Sequence, residues 1–217
     1  MPLLGTRGSG SVRAFGRGGG VSFPPTSTFA LIQTYNLTGN SSVISFSDIN
    51  PNYTNLYLAA NARTDGNTKL DFINITMNND NTTSNYSSGF CTAAIENGQP
   101  VAANGYARFT SNAGIRVPGV HGAQSTANLY GAIEVDFINI SNASNYKTAI
   151  SKVAQIEFGA NTCCQNAGHG HTGVSSGQWR STAAISAISL RPAVGSNFVS
   201  GSTFSLYGIT RQGGFGS

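Results

Sequence analysis

After residue 28, apolar residues recur at every second position in segments separated by clusters of Asn, Asp, Gly and Ser. The segment FSLYGI at 204–209 is a clear example. Successive side chains of a β-strand point to opposite faces, so this period of two indicates half-buried strands. The candidate strands are 29–37, 42–46, 55–63, 69–77, 86–94, 128–140, 148–158, 179–190 and 203–210. With no convincing amphipathic helix between them, they predict an all-β fold: an antiparallel two-sheet sandwich of the jelly-roll type.

The composition supports the same fold class. Charged residues make up only 9% of the chain, against about 25% in an average globular protein. Asn, Ser and Thr side chains compete for backbone hydrogen bonds and favour turns, whereas Thr, Val, Ile, Phe and Tyr suit a pleated sheet. Helical architectures are therefore disfavoured over most of the sequence.

The first 28 residues differ from the rest. They are rich in Gly, Arg and Ser and close with Pro24-Pro25, and they hold too few apolar side chains to offset their own ordering entropy. We predict an extended assembly arm at 1–28 and one β-sandwich domain at 29–217. The arm's candidate contact residues are Arg7, Arg13, Phe15 and Arg17. They suit an acidic surface of a neighbouring protein, and nucleic acid is the less favoured partner because so few basic residues are present.

The start of the chain does not suggest a leader peptide. Met1-Pro-Leu-Leu is followed by Gly5, Thr6 and Arg7 rather than by an apolar run. Nor does any segment contain the 18 or so apolar residues of a membrane span. We expect a chain that is neither exported by a signal peptide nor embedded in a membrane. The three cysteines, two of them adjacent, do not suggest a disulfide framework.

One cluster has the side chains of a metal site, namely Cys163, Cys164, His169 and His171. Thiolate and imidazole are preferred ligands of zinc, although adjacent cysteines do not reproduce the usual C-x2-C loop. Three interpretations stay open. The segment is a surface loop without metal, the His-Gly-His pairs of three chains bind one transition metal on a shared axis, or one chain binds a metal alone.

Three carboxylates and the single tryptophan are candidates for a catalytic or sugar-binding role. Asp71 and Asp136 each open a Phe-Ile-Asn-Ile segment, and such a pair would resemble a glycoside hydrolase site if the strands were neighbours. The favoured interpretation places both at strand rims facing water. Glu134 and Asp136 share one strand face, expected to be solvent. Trp179 is expected to begin a strand and pack in the core, with sugar stacking as the alternative.

Two segments resemble a known group of proteins. The opening PLLGTRG…FGRGG and the stretch 177–209, GQWRSTAAISAISLRPAVGSNFVSGSTFSLYGI, resemble virion proteins of tailed bacteriophages, cyanophages among them. These carry a basic Gly-rich N-terminus and a jelly-roll-like C-terminal β domain. The segment 161–173 departs from that pattern. The resemblance implies a virion location and a β-sandwich, and it transfers no catalytic residue.

The resulting expectation is a non-enzymatic virion structural protein, made and assembled in the bacterial host cytoplasm. A short tail fibre or baseplate component is favoured, docked through its arm to other virion proteins and in contact with the host surface, where a glycan is a candidate ligand. A homotrimer is implied by the resemblance. Alternatives are a head decoration protein that stabilises the capsid and a carbohydrate-binding module. No cofactor is expected, apart from the transition metal considered above.

Overall fold

A computed structural model describes residues 28–96, 99–110, 113–157 and 169–210. These ranges contain one short 3-10 helix, Thr83–Asn85, and no helix in them is long and apolar enough to cross a membrane. Their strands are β1 (Thr28–Asn36), β2 (Ile44–Phe46), β3 (Asn55–Ala62), β4 (Leu70–Met77), β5 (Tyr86–Glu96), β6 (Gln99–Thr110), β7 (Ile115–His121), β8 (Gly131–Ile138), β9 (Lys147–Glu157), β10 (His169–Trp179), β11 (Ile188–Pro192) and β12 (Thr203–Thr210).

The strands form two packed antiparallel sheets. The larger sheet has the order β1-β12-β3-β8-β9-β10-β5-β6, and the smaller has the order β2-β11-β4-β7. Without β5, β6, β9 and β10, the remaining eight strands pair first with last and second with next to last, which is the nesting of a jelly roll. The two inserted hairpins extend the larger sheet beyond β8. The predicted all-β sandwich is confirmed.

Alternation along the strands builds the core between the sheets. In the larger sheet, Leu56 and Leu58 of β3 and Phe204 and Leu206 of β12 point inward and are fully buried. The smaller sheet contributes residues such as Phe46, Ile73, Ile75 and Leu190. Residues of both sheets belong to one hydrophobic core, so the inner face of the larger sheet packs against the smaller sheet.

Three strands, β6, β7 and β10, are absent from the sequence prediction, and one predicted strand is wrong. β6 and β7 contain Pro100, Gly105, Pro118 and Gly119, residue types that strands usually exclude. Both strands lie at a sheet edge, where a proline need not interrupt a ladder. The predicted strand at 179–190 fails because Trp179 ends β10 and the next strand starts only at Ile188.

Candidate assembly face

In the strand β9 the usual placement of side chains is reversed, because polar residues face the core and aliphatic residues face outward. We call this a reversed polarity. Its inward positions alternate strictly with its exposed ones, and four of the inward residues are polar: Lys147, Ser151, Gln155 and Glu157. On the outward side, Ile150 is exposed and Ile156 is 50% exposed. Burial of apolar surface normally drives alternation the other way. The outer face of β9 is therefore more apolar than its inner face.

The neighbouring strand β10 repeats this reversal. Ser175 is buried and hydrogen-bonded to the hydroxyl of Ser151, while Val174 is 53% exposed on the outside. Val174 lies directly opposite Lys152 of β9. Two adjacent strands thus present aliphatic side chains outward, and their inner side is held by hydrogen bonds between polar groups.

The buried polar groups of β9 have specific partners. The Lys147 ammonium donates to the backbone carbonyls of Asn145 and Thr182, at 3.0 and 3.1 Å, and also to that of Asn142. Burial lowers its pKa. The Glu157 carboxylate accepts hydrogen bonds from the backbone and hydroxyl of Thr126. These bonds make an inward polar side on β9 tolerable.

A shallow depression lies beside the exposed aliphatic residues. Ala132 of β8 and Ala154 of β9 are paired across the two strands, and their small side chains leave a volume of about 440 Å³. Glu134, Lys152 and Val174 also line it. We call Ile150, Ile156 and Val174, together with this depression, the aliphatic patch.

The other half of the same outer face carries a group of large side chains. Phe29 stacks on Tyr207 with a centroid distance of 4.8 Å, and Tyr57 lies 5.6 Å from Phe29. Leu31 is paired with Tyr207 across β1 and β12. Phe29 is 54% exposed and Leu31 is 57% exposed. We call these four residues the aromatic ridge.

Charged residues separate the ridge from the patch. Glu134 and Asp136 lie on the outer side of β8, and the Lys152 ammonium is 3.5 Å from Glu134. Partial burial, followed by a hydrogen bond with Glu134 and the charges of Glu134 and Asp136, raises the pKa of Tyr57 to about 12. The ion pair is solvent-exposed and contributes little to stability. Both signs of charge occur side by side at the middle of the face.

The concentration of apolar side chains on this face is what marks it as a site. Seven large hydrophobic side chains are exposed among the residues whose side-chain exposure the structure describes, which leave out residues 92–110. Five of them belong to the outer face of the larger sheet: Phe29, Leu31, Ile150, Ile156 and Val174. The remaining two, Tyr146 and Val194, lie in loops. Exposed apolar residues gathered on one face in this way are typical of interaction surfaces.

The two candidate carboxylates lie in different environments. Asp71 is on β4 of the smaller sheet and is completely buried, so its predicted position at a solvent-facing rim is wrong. Its carboxylate accepts hydrogen bonds from the Thr64 hydroxyl and from the backbone N–H groups of Val194 and Gly195. Asp136 is on the outer side of the larger sheet, as predicted. The two carboxylates are therefore not brought together as a hydrolytic pair.

Trp179 confirms the core prediction. It is only 2% exposed, and its ring cannot serve as the sugar-stacking platform considered above. Its indole N–H donates to the carboxylate of Asp80. The predicted position at the start of a strand is wrong, since Trp179 is the last residue of β10.

Part of the predicted Cys/His cluster lies in a strand rather than in a loop. β10 begins at His169 and includes His171, which corrects the expected surface loop at these two positions. Cys163 and Cys164 lie outside the described residues. Among the described residues, no group of three or more potential ligands is close enough to hold a metal ion. Metal binding by the four residues stays a prediction.

The arm residues Arg7, Arg13, Phe15 and Arg17 also lie outside the described ranges. Their proposed contacts with a neighbouring protein stay a prediction. The sandwich itself begins with β1, whose first residue is Thr28.

The aliphatic patch is not among the sites that the sequence predicts. A signal for it exists in β9, KTAISKVAQIE, where isoleucine occupies one phase and lysine, serine, glutamine and glutamate occur in the other. Taken alone, that pattern predicts the isoleucines inside. In the structure the isoleucines face outward, because β9 is inserted between β8 and β10 in the larger sheet.

Comparison with known proteins adds no functional information. No protein family and no curated protein match the chain. One of the solved structures that match is a protein of unknown function from Shewanella oneidensis MR-1, with 11% identity over the whole of both chains and a TM-score of 0.15.

Proposed function

We propose that this protein is a structural component of a tailed-bacteriophage virion, most specifically a short tail fibre or baseplate component. In this role the sandwich associates through the outer face of its larger sheet. The arm at 1–28 docks to another virion protein. The work of the protein is binding and assembly rather than catalysis.

The observation that carries the proposal is the reversed polarity of β9 and β10. Ile156 and Val174 are half exposed, while the polar residues next to them on the same strands, Gln155, Glu157 and Ser175, are buried. A protein that worked alone would lose the hydrophobic contribution of these outward side chains, which is of order 1.5–3 kcal/mol for each large residue when buried. An assembled protein recovers it. The reversal therefore favours a chain whose outer face is covered in use.

The arm supports the same role. Arg7, Arg13 and Arg17 precede the first acidic residue of the chain, Asp48. Such a segment can order on an acidic groove of a partner and gain charge-assisted hydrogen bonds there. The resemblance of PLLGTRG…FGRGG and of residues 177–209 to phage virion proteins supports the proposed virion location.

A carbohydrate-binding role has one specific observation in its favour. The rings of Tyr57 and Tyr207 lie 6.1 Å apart beside the carboxylates of Glu134 and Asp136. Aromatic faces next to hydrogen-bonding groups are a common arrangement at ligand sites. Titration of host-surface glycans into the purified protein, compared with a Tyr57→Ala variant, tests this alternative, because a bound glycan would lose affinity in the variant.

Quantitative mass spectrometry of purified particles, with heads and tails separated, tests the main proposal. A small number of copies confined to tails is the expected result. Hundreds of copies in heads would instead identify a decoration protein. Absence from the particle would overturn the proposal altogether.

A further inference from the structure

We infer that two copies of this chain pack the outer faces of their larger sheets against each other about a two-fold axis. This inference rests on the proposed assembly role and names the occupant of the face as a second copy of the same chain. It does not involve the arm. The pair differs from the trimer that the resemblance implies, so the mass in solution distinguishes the two.

The large exposed side chains lie on one continuous face. Register aligns outward residues in a row across the neighbouring strands β1, β12, β3, β8 and β9. The row consists of Leu31, Tyr207, Tyr57, Asp136 and Ile150. It spans about 19 Å at roughly 4.8 Å per strand. A partner must therefore be broad and flat to cover the row, and the same face of a second copy has that form.

The charged side chains indicate where the axis lies. Glu134 of β8 and Lys152 of β9 are directly opposite each other, and both point outward into solvent. A two-fold axis that runs between these two strands, parallel to them, exchanges the two positions. Lys152 of each copy then lies over Glu134 of the other, and facing sheets are about 10 Å apart, a gap that these long side chains bridge. Opposite charges thus meet twice across the contact.

The same axis divides the larger sheet into equal halves. The order β1-β12-β3-β8-β9-β10-β5-β6 has four strands on each side of it. Each strand therefore lies over the strand that is equally far from the axis in the other copy, so that β8 covers β9 and β3 covers β10. The two sheets overlap along their whole width.

Apolar side chains meet where β3 covers β10. Val174 is level with Lys152 along the strands. Ala59 is level with Glu134. The half-exposed Val174 of one copy thus lies over Ala59 of the other, whose small side chain borders a depression of about 290 Å³. Tyr57 is the next outward residue along β3 and flanks this contact, which occurs once on each side of the axis.

The face is large enough for a stable pair. Its six central strands, from β12 to β5, each contain at least eight residues. They make a surface about 29 Å wide and about 27 Å long. The product, about 800 Å² per copy, matches the share that one partner contributes to a standard interface. A two-fold contact uses this face on both copies and closes at two, so neither face stays exposed.

The first test disables the apolar contact. Val174→Glu introduces a charge into it, and Val194→Glu is the matched control, because Val174 is 53% exposed and Val194 is 51% exposed in a loop. Sedimentation velocity of the full-length proteins should give the mass of two copies for the wild type and the control, and of one copy for Val174→Glu. Thermal unfolding verifies that all three proteins are folded. A folded Val174→Glu that keeps the two-copy mass would overturn the pair, as would a wild type with the mass of one copy or of three.

The second test is specific for the position of the axis. Glu134→Lys places lysine over lysine in a pair of identical copies, and Lys152→Glu places glutamate over glutamate. Each variant alone should therefore dissociate at least about tenfold more readily than the wild type. Both side chains are exposed, so the fold tolerates the changes.

Mixing these two variants restores the charge pairing, because every lysine then lies over a glutamate of the other copy. The mixture should form two-copy complexes at concentrations where each variant alone sediments as one copy. A mixture that behaves like its separate components would rule out this axis and, with it, the pair.

The outcome is separable from that of the proposed function. If the pair is absent but the protein is found in particles, the virion role stands and another virion protein covers the face. If the pair forms but particles lack the protein, the pair stands and the virion role fails.

Discussion

The indole N–H of Trp179 donates a hydrogen bond of 2.7 Å to Oδ2 of Asp80. Trp179 ends β10 in the larger sheet, and Asp80 lies in the turn that follows β4 of the smaller sheet. The same carboxylate accepts hydrogen bonds from the side chain of Asn85 and from the backbone N–H of Thr82. One acid therefore ties the inserted strand β10 to the other sheet.

Replacing this acid should weaken the sandwich. We expect Asp80→Ala to lower the free energy of unfolding by about 2–3 kcal/mol, because a charge-assisted hydrogen bond is lost and the buried indole N–H is left without its acceptor. Chemical denaturation measures the change. Asp136→Ala, on the outer side of β8, is the control and should differ from the wild type by at most about 0.5 kcal/mol. Equal effects of the two variants would contradict the role assigned to Asp80.

The same carboxylate should make stability depend on acid pH. Partial burial would raise the pKa of Asp80, but the hydrogen bonds from Trp179, Asn85 and Thr82 outweigh it and lower the pKa from 3.8 to about 2. A lowered pKa in the folded state means that the contribution is complete above pH 4 and is lost as the pH falls towards 2. Unfolding measured between pH 6 and 2 should show a smaller loss of stability in Asp80→Asn than in the wild type.

The two aspartates that open the Phe-Ile-Asn-Ile copies should respond differently to substitution. Asp71→Ala removes a buried acceptor from several donors, so we expect a loss of about 3 kcal/mol in the free energy of unfolding. Asp136→Ala, on the outer side of β8, is the matched control, with an expected change of at most about 0.5 kcal/mol. Denaturant titration of both variants checks the difference, and a small effect at Asp71 would show that its hydrogen bonds are dispensable.

Gly131 of β8 lies against the backbone of β7 in the smaller sheet. A Cβ atom at this position would lie 1.9 Å from the carbonyl oxygen of Gly119, which is backbone and cannot rotate away. We expect Gly131→Ala to destabilise the protein by about 2–3 kcal/mol. Gly39→Ala is the control, because nothing lies within 4 Å of its added Cβ. Thermal unfolding of both variants measures the difference. Equal melting temperatures would contradict this packing.

The hydroxyl of Tyr57 should titrate abnormally late. Its pKa of about 12 arises from partial burial and then from the hydrogen bond and charge of Glu134. Because the folded-state pKa is raised, the associated stability is present below pH 10 and is lost as the pH rises towards 12. Ultraviolet titration of tyrosinate should show that the pKa of Tyr57 is closer to 10 in Glu134→Gln than in the wild type.

Assignment of that titration needs a second variant, because burial also raises the pKa of Tyr86 to about 12. Subtracting the titration curve of Tyr57→Phe from that of the wild type isolates Tyr57. An isolated curve that Glu134→Gln leaves unchanged would show that Glu134 does not control this hydroxyl.

The alternation of side chains was enough to predict the fold class. In β12, predicted at 203–210 and found at Thr203–Thr210, the buried Phe204 and Leu206 alternate with Thr203 and Ser205, so local pattern and burial agree in this part of the strand. β6 and β7 escaped prediction because their prolines and glycines are tolerated only at sheet edges, and edge position is a property of the whole sheet.

What the sequence could not determine is which phase of a strand faces the core. The hexapeptides 71–76 and 136–141 differ at one residue, yet Asp71 points into the core from β4 and Asp136 points outward from β8. Both phases contain apolar side chains, and a shift of one residue exchanges the faces of a strand. In β9 the same choice buried Lys147 and exposed Ile156. The period of two is local and belongs to the sequence, whereas the phase depends on the strands that pair on either side and on the sheet packed beneath, which only the tertiary structure brings together.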